Sequence, residues 1–299
     1  MQSHSGTMTN LAALSRLIRL PLSVMVAISA LTGALAADQQ VSGLVLWALA
    51  WGIFLLSASC SVLNQVQERA TDALMHRTCR RPLASGALSP GSGMLIGLLF
   101  GSGGLVILFV ATGPNTALLG LAATAWYLLT YTPLKQRSSL AVIAGTPCGA
   151  LPPLIGWLAA GGDPLDPRPL ALVLLMVLWQ VPHYWLLALP DREELKRVGF
   201  KVLPQKLSGH QLLSISHFWI LGMVTATLLL LPMQLVQLPI LQGLIASLAI
   251  SFAIWTTGVQ KKTLFIEKTA AKLRIGLHIY LGLILGCILL NGLLLRLAL

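Results

Sequence analysis

Acidic residues are scarce in this chain: Asp and Glu number nine among 299 residues, and all charged residues together make up 10% of the sequence. Hydrophobic residues make up 56%, and the mean hydropathy is +0.81. A soluble domain of this length cannot bury so much apolar surface. The composition therefore excludes a soluble globular protein and predicts an integral membrane protein in a lipid bilayer.

Cysteine is scarce as well. The four cysteines, Cys60, Cys79, Cys148 and Cys287, have no paired spacing. Three of them lie in or beside apolar runs, and the fourth lies in a basic loop. This pattern excludes a disulfide framework and a zinc site built on cysteine pairs.

The shortage of acids leaves a formal net charge of +11. In a soluble protein that excess would suggest nucleic acid as the partner. Here the basic residues sit at the ends of apolar runs, which indicates orientation in a membrane and anionic headgroups or substrates. We expect no nucleic-acid partner.

Long apolar runs account for most of the chain and predict an all-α bundle of nine transmembrane helices. The runs fall near residues 18–37, 43–63, 93–112, 115–133, 140–160, 169–189, 213–235, 238–258 and 275–297. We expect a cytoplasmic tail over residues 1–17 and a single transmembrane domain over residues 18–299.

The first run has two interpretations. Arg16 and Arg19 precede an apolar stretch that ends in "GALAA", which resembles a signal peptide with its cleavage site. The run is long for a signal peptide, however, and close to the roughly 20 residues that span a bilayer. We expect a retained first helix.

Basic residues divide unevenly between the two sides of such a bundle. With nine alternating helices, eighteen of the twenty Lys and Arg residues fall on one side, and Arg168 and Arg296 alone fall on the other. The positive-inside rule then predicts a cytoplasmic N-terminus and an outer C-terminus. The connections after the second and sixth runs are long and charged. Connections of that length are usually functional, and we expect them to form cytoplasmic cap loops.

The first of these connections contains what we call the first acidic stretch, "NQVQERATDALMHRTCRRPL" at residues 64–83. Asn64, Glu68 and Asp72 follow one another at intervals of four, which places them along one face of a helix. Carboxylate and amide oxygens suit Mg²⁺. Arginines follow directly, including Arg77 and Arg81, and their guanidinium groups suit phosphate oxygens.

The second acidic stretch, "LPDREELKRVGFKVLP" at residues 189–204, repeats this mixture. Asp191 and Glu194 can share a helical face, and Lys201 is among the cations that follow. A diphosphate fits both stretches, because Mg²⁺ held by acids and the neighbouring cations would both bind its oxygens. The alternative is ordinary salt bridges on a solvated surface.

The fifth run reads "AVIAGTPCGALPPLIGW". Gly145 and Gly149 permit close helix packing, which is the favoured interpretation. Its three prolines predict a kinked or broken helix, with free backbone groups that could line a cavity.

The sixth run ends "LWQVPHYWLLAL", with His183 among Trp179, Tyr184 and Trp185. An aromatic cluster at a helix end is typical of a membrane interface. The histidine could also ligate haem iron or form a hydrogen bond with an acidic substrate group.

Taken in order, these motifs resemble the UbiA superfamily of intramembrane prenyltransferases, and most of all its protohaem IX farnesyltransferase (haem O synthase) branch. The residues that carry the resemblance are Asn64, Glu68, Asp72, Met75, Arg77, Thr78, Arg81, Pro82 and Leu83; Tyr131, Thr132, Leu134 and Lys135; the stretch 149–157; Trp179, Gln180, Pro182 and His183; and Gly199, Leu203 and Pro204. Two positions depart from the family pattern: Glu68 replaces the usual Asp, and Glu194-Leu195 replaces the usual Asp-Tyr.

The resemblance implies a central cavity, capped by the two acidic stretches, in a bacterial inner membrane. Farnesyl diphosphate would place its tail in the cavity, and haem b would be the acceptor substrate that becomes haem O for terminal oxidases. The implied Mg²⁺ ligands, which are also the implied catalytic set, are Asn64, Glu68, Asp72, Asp191 and Glu194. The implied substrate-binding residues are Arg77, Arg81, Tyr131, Lys135, His183 and Lys201. Haem A synthase or the terminal oxidase assembly machinery are the implied protein partners.

Two other functions stay open at this point. A quinone-type polyprenyltransferase, acting on an acceptor such as 4-hydroxybenzoate, would use the same diphosphate site. A transporter of an anionic metabolite would also carry cations at one face. A transporter more naturally places charges inside its helices, and the helix interiors here lack Lys, Arg, Asp and Glu.

Overall fold

A computed structural model of the protein describes residues 10–37, 40–261 and 265–298. Within those ranges the chain forms thirteen α-helices, a π-helical turn at Trp126–Tyr131 and a 3-10 turn at Leu203–Gln205. The helices are α1 Asn10–Leu17, α2 Leu20–Ala36, α3 Gly43–Ala73, α4 Pro90–Thr112, α5 Pro114–Ala125, α6 Thr132–Arg137, α7 Ala141–Ala150, α8 Pro152–Ala159, α9 Pro167–Ala188, α10 Arg192–Arg197, α11 Gly209–Leu229, α12 Pro239–Lys261 and α13 Ile266–Leu297.

This architecture confirms the predicted all-α membrane fold. In the described ranges, eight helical segments are long and apolar enough to cross a membrane, and α1 with α2 adds a ninth if that bent pair is one span. The predicted tail over 1–17 contains α1, and its first nine residues lie outside the described part of the chain.

Two predicted connections are partly helical. Helix α3 continues ten residues past the predicted end of its span, to Ala73, so the connection to α4 is 74–89 and not 64–92. Helix α13 begins at Ile266, inside the connection that we expected over 259–274. The helical parts of these connections, residues 64–73 and 266–274, contain no proline or glycine. Both contain helix-forming residues such as Glu and Ala.

The first predicted helix is interrupted at its start. Arg19 adopts a left-handed conformation (φ 49°, ψ 55°), and α1 and α2 meet there at 55°. The side chain of Gln65 on α3 donates hydrogen bonds to the carbonyls of Arg16 (3.2 Å) and Leu17 (2.7 Å). The last carbonyls of a helix have no partner inside that helix, so these two bonds from Gln65 stabilise the interruption.

The predicted break in the fifth span is confirmed. Helix α7 ends at Ala150, and α8 begins with Pro152 and Pro153, which lack the N–H that a continuous helix requires. A Cβ at Gly145 would lie 2.5 Å from the ring of Tyr131, so this glycine allows α7 to pack directly on the tyrosine.

The π-helical turn was not predicted. It joins α5 to α6 and contains Tyr127 and Tyr131. A π-helical turn changes the direction in which successive side chains project, and such turns are frequent at functional sites.

Candidate active site

A cavity, here called the charged cavity, lies where the two acidic stretches meet. Helix α3, the 74–89 connection, α6 and the second acidic stretch all contribute to its wall. Its charged lining residues are Arg19, Glu68, Asp72, Arg77, Arg81, Lys135 and Lys201. Five cations and two acids share one wall, so the cavity suits an anionic ligand.

Both acids of the charged cavity are buried and paired. Glu68 is 8% exposed, and its Oε1 lies 2.6 Å from Nζ of Lys135. Asp72 is 3% exposed, and its Oδ2 accepts a 2.6 Å hydrogen bond from Nη1 of Arg81. Removing one partner of a buried pair leaves an uncompensated charge, so each pair depends on both members.

Several cationic side chains lie close together in this cavity. Burial lowers the pKa of Arg81, and the nearby guanidinium of Arg19 lowers it further. An arginine pKa starts so high that Arg81 remains protonated at neutral pH. An anion between these two guanidinium groups would relieve their repulsion.

The second acidic stretch contacts the first beside the charged cavity. Oδ2 of Asp191 lies 3.5 Å from Nε of Arg77. Oε1 of Glu194 accepts a 2.7 Å hydrogen bond from the backbone N–H of His76. Beneath these contacts Met75, Leu195 and Phe200 form a small apolar cluster that joins the two stretches.

A second cavity, here called the apolar cavity, extends from the charged one into the bundle. Residues of α2, α3, α5, α7, α8 and α9 line it, and most of them are apolar or small. The two cavities share Arg19, Tyr127, Tyr131, Val142 and Tyr184. Three tyrosine rings and one guanidinium group therefore mark the junction between them.

The structure brings together most of the predicted site. The predicted residues that line the charged cavity are Glu68, Asp72, Arg77, Arg81, Tyr131, Lys135 and Lys201. Asn64 lies on the same helix, where its Nδ2 donates to Oγ1 of Thr132 at 3.2 Å. His183 lines neither cavity and faces α13 instead.

The predicted Mg²⁺ ligands are less closely grouped. Among the described residues, no three His, Cys, Asp or Glu side chains form a group that could hold a metal ion. Asp191 and Glu194 contact the first acidic stretch through Arg77 and His76, away from the two buried acids. Glu68 and Asp72 do fit the chemistry of Mg²⁺, since both are carboxylates on one helical face at a cavity wall. The five-ligand set remains a prediction.

Sequence reasoning missed three polar residues at the junction of the two cavities: Arg19, Tyr127 and Tyr184. Arg19 was counted only as a topological charge, and Tyr184 only as part of an interfacial aromatic cluster. One signal was available for Tyr127, because it lies one helical turn before Tyr131.

Comparison with known proteins identifies the fold and the family. The model of the UbiA prenyltransferase family matches residues 24–265. The chain belongs to this family. A protein named protoheme IX farnesyltransferase from Geobacter sulfurreducens is 45% identical over 190 residues, which cover 62% of this chain and 68% of that protein. One with the same name from Oleidesulfovibrio alaskensis is 39% identical over 220 residues, covering 74% and 77%.

Solved structures agree with the assignment of the fold. A digeranylgeranylglyceryl phosphate synthase superposes with a TM-score of 0.75 at 19% identity, covering 95% of this chain and 99% of that one. A UbiA homologue from Archaeoglobus fulgidus, solved with GPP and Mg²⁺, gives 0.68 at 17% identity, covering 92% and 99%. At these identities the likeness extends to the fold alone.

These findings confirm the predicted family, its protohaem IX farnesyltransferase branch and the prenyltransferase class. They exclude the transporter alternative. The chain spans about two thirds of the length of the first curated relatives that it matches.

Proposed function

We propose that this prenyltransferase transfers the farnesyl group of farnesyl diphosphate to a vinyl group of haem b and so produces haem O. The observation that carries the proposal is a charged cavity that opens into an apolar one. A prenyl diphosphate has the same division into an anionic head and an apolar tail. The names of the related proteins support farnesyl as the donor and haem as the acceptor.

The cations of the charged cavity would bind the diphosphate. Arg81 and Lys135 lie 2.6 Å from Asp72 and Glu68, and Arg77 and Arg19 line the same wall. Each guanidinium group can donate two parallel hydrogen bonds to phosphate oxygens. In the free protein the buried acids balance part of this charge, so the cations are held in place before the substrate arrives.

Glu68 and Asp72 would hold Mg²⁺. The sequence predicts Asn64, Asp191 and Glu194 as further ligands, but Asp191 and Glu194 pair with Arg77 and the backbone of His76 instead. When bound, the ion supplies positive charge that stabilises the leaving diphosphate.

The tyrosines at the junction would act on the carbon chain. Loss of diphosphate leaves an allylic cation at the carbon nearest the head group. With the head in the charged cavity and the tail in the apolar one, that carbon would lie at the junction, beside Tyr127, Tyr131 and Tyr184. The negative face of an aromatic ring attracts a cation, and the attraction strengthens where water is excluded.

The acceptor chemistry then balances without a redox partner. The vinyl π electrons form the new carbon–carbon bond, pyrophosphate is the leaving group, and the resulting cation is captured by water with loss of a proton. The product is a hydroxyethylfarnesyl side chain. His183, which the sequence predicts to bind the acceptor, lies beside Tyr184 with ring centroids 5.0 Å apart.

We further propose that the charged cavity faces the cytoplasm of a bacterial cell, with the N-terminus inside and the C-terminus outside. The uneven distribution of Lys and Arg supports this orientation in the inner membrane. Reporter fusions after Gln136 and after Leu299 should report opposite sides. Two cytoplasmic reporters would contradict the topology.

Purified protein in detergent, given Mg²⁺, haem b and farnesyl diphosphate, should produce a farnesylated haem that mass spectrometry detects. The control is the Asp72→Asn variant under the same conditions. Prenylation of 4-hydroxybenzoate with haem left unchanged would refute the proposal and favour a quinone-type enzyme.

A further inference from the structure

An aromatic cluster between α9 and α13 lies outside both cavities. On α9 the rings of Trp179 and His183 stack in parallel, with centroids 4.9 Å apart and planes 9° apart. On α13 His278 meets both rings edge-on, at 4.6 Å from His183 and 5.5 Å from Trp179. Two imidazoles thus lie side by side on the outside of the bundle, and the proposed reaction assigns a role only to His183.

The imidazole of His278 is oriented in the way that metal-binding histidines usually are. Its Nδ1 lies 2.7 Å from the backbone carbonyl of Arg274. A carbonyl oxygen only accepts hydrogen bonds, so Nδ1 carries the proton and donates it. The lone pair of the neutral ring then lies on Nε2, and His278 is exposed.

His183 forms the opposite wall and is less accessible. Its Nδ1 is buried and has no hydrogen-bond partner among the described residues. Trp179, stacked on it, donates from Nε1 to the carbonyl of Leu277 at 3.2 Å, which ties α9 to α13 beside His278. These contacts hold the edge of the cluster rigid around the exposed imidazole.

The number of ligands decides which metal the cluster suits. A structural zinc site needs four protein ligands and a catalytic one needs three. No group of three His, Cys, Asp or Glu is present in the described part of the chain. The iron of a porphyrin already has four ring nitrogens and requires only an axial imidazole.

The spacing of the two histidines further restricts the geometry. Metal–imidazole bonds are roughly 2 Å long, so two axial nitrogens on opposite sides of one metal lie roughly 4 Å apart and the ring centroids farther still. Ring centroids at 4.6 Å, nearly perpendicular, leave no room for a porphyrin between His183 and His278. One histidine can therefore ligate, and the exposed His278 is the one with a free Nε2.

The surface of α13 beside His278 is open. A Cβ on Gly282, one turn from His278, would meet nothing within 4 Å. The packing is tight farther along the same helix, where an added Cβ on Gly292 would collide with the backbone of Leu35 on α2. A flat apolar ligand therefore has space beside His278.

We propose that His278 is the axial ligand that binds the iron of the haem acceptor, with Trp179 and His183 as the wall that orients its imidazole. This inference rests on the proposed function, because haem is its substrate. Tyr184 lies between the cluster and the cavities, in ring contact with His183, so haem held at His278 presents its rim towards the junction. Arg274, one turn away on the same face, supplies a cation for a propionate.

Spectroscopic titration tests this assignment. The full-length protein in detergent is titrated with ferric haem b, and separately with metal-free protoporphyrin IX. Wild-type protein should shift the Soret band of haem relative to haem in empty micelles. His278→Ala should lose that shift and bind haem at least about tenfold more weakly, a loss comparable to that caused by removing even the supporting partner of a metal ligand. Binding of the metal-free porphyrin should stay unchanged, and added imidazole should restore the shift.

The matched control is His217→Ala, a half-buried histidine on α11 whose Nε2 lies 3.4 Å from Oγ1 of Thr257, outside this cluster. It should titrate like the wild type. An unchanged Soret band in His278→Ala, or its loss in His183→Ala alone, would overturn the inference. Equal weakening of haem and of metal-free porphyrin would also overturn it, because that result indicates packing. If wild-type protein farnesylates haem in any of these cases, the proposed function stands without His278.

Discussion

The two acidic stretches have similar compositions, but the fold buries them differently. In the first, Glu68 and Asp72 are 8% and 3% exposed, and each contacts a cation at 2.6 Å. In the second, the side chain of Asp191 is 29% exposed and lies 3.5 Å from an Arg77 side chain that is 49% exposed. Charges interact strongly where water is excluded and weakly where it is not. We therefore expect the first stretch to act on the reaction and the second to hold the cap over it.

Asp72→Asn should have the largest effect. The substitution keeps the shape of the side chain, removes one buried charge and leaves Arg81 without its counter-ion. Loss of one well-placed electrostatic group typically lowers kcat by a factor on the order of 10²–10³. Farnesyl transfer to haem, measured at saturating and at limiting Mg²⁺, checks this.

Glu193→Gln is the matched control for that experiment, because the Glu193 side chain is 71% exposed and its nearest cation is 3.8 Å away. It should behave like the wild type. Normal turnover of Asp72→Asn at limiting Mg²⁺ would mean that the buried acids serve only as partners for Arg81 and Lys135. The difference in burial between the two stretches would then have no effect on catalysis.

Glu194→Ala should have an intermediate effect. It removes the acceptor of the hydrogen bond from the backbone N–H of His76 and so loosens the cap. Hydrogen bonds to charged groups contribute about 1.5–3 kcal/mol, and a partly exposed one falls at the low end, which corresponds to roughly tenfold in binding. We expect the KM for farnesyl diphosphate to rise by about that factor with little change in kcat. Steady-state kinetics separates the two parameters.

Glu194→Gln retains an acceptor oxygen and should lie between the wild type and the alanine variant. A fall in kcat as large as that of Asp72→Asn would assign Glu194 a direct role at the metal, as the sequence motif predicts.

Asp191→Asn should have a smaller effect. Its pair with Arg77 is half exposed, and such pairs contribute about 0–1 kcal/mol, or less than about fivefold in kcat/KM. Because the pair is screened by salt, the difference from the wild type should shrink further as the ionic strength of the assay rises. A larger loss that persists at high salt would indicate that Asp191 binds Mg²⁺ as predicted from the sequence.

Features that depend on local spacing were predictable, and features that depend on distant partners were not. The helical face of Asn64, Glu68 and Asp72 follows from intervals of four residues, and the break before Pro152 follows from the chemistry of proline. The turn at Arg19 could not be predicted, because it depends on hydrogen bonds from Gln65 of another helix.

The same reasoning explains what happened at the aromatic cluster of α9. The sequence drew attention to His183, yet its neighbour His278 is supplied by α13, 95 positions later in the chain. Only the packing of α9 against α13 brings the two rings together. The sequence likewise did not specify the ion pairs inside the charged cavity, which join Lys135 to Glu68 and Arg81 to Asp72.

Glu68→Asp should have the smallest effect among the substitutions at the predicted metal ligands, although Glu68 lies in the more buried stretch. The change restores the residue usual at this position of the family motif and keeps the negative charge. It shortens the side chain by one methylene, and Lys135 can follow, since its ammonium group ends a flexible four-carbon chain. We expect kcat within a few-fold of the wild type, whereas Glu68→Gln, which removes the charge and leaves Lys135 without its partner, should approach the loss of Asp72→Asn. Parallel kinetics of the two variants separates charge from length. If Glu68→Asp lowered kcat as much as Glu68→Gln, the reaction would require the length of the Glu68 side chain. The charged cavity of this protein would then be shaped for glutamate at this position, not for the aspartate usual in the family.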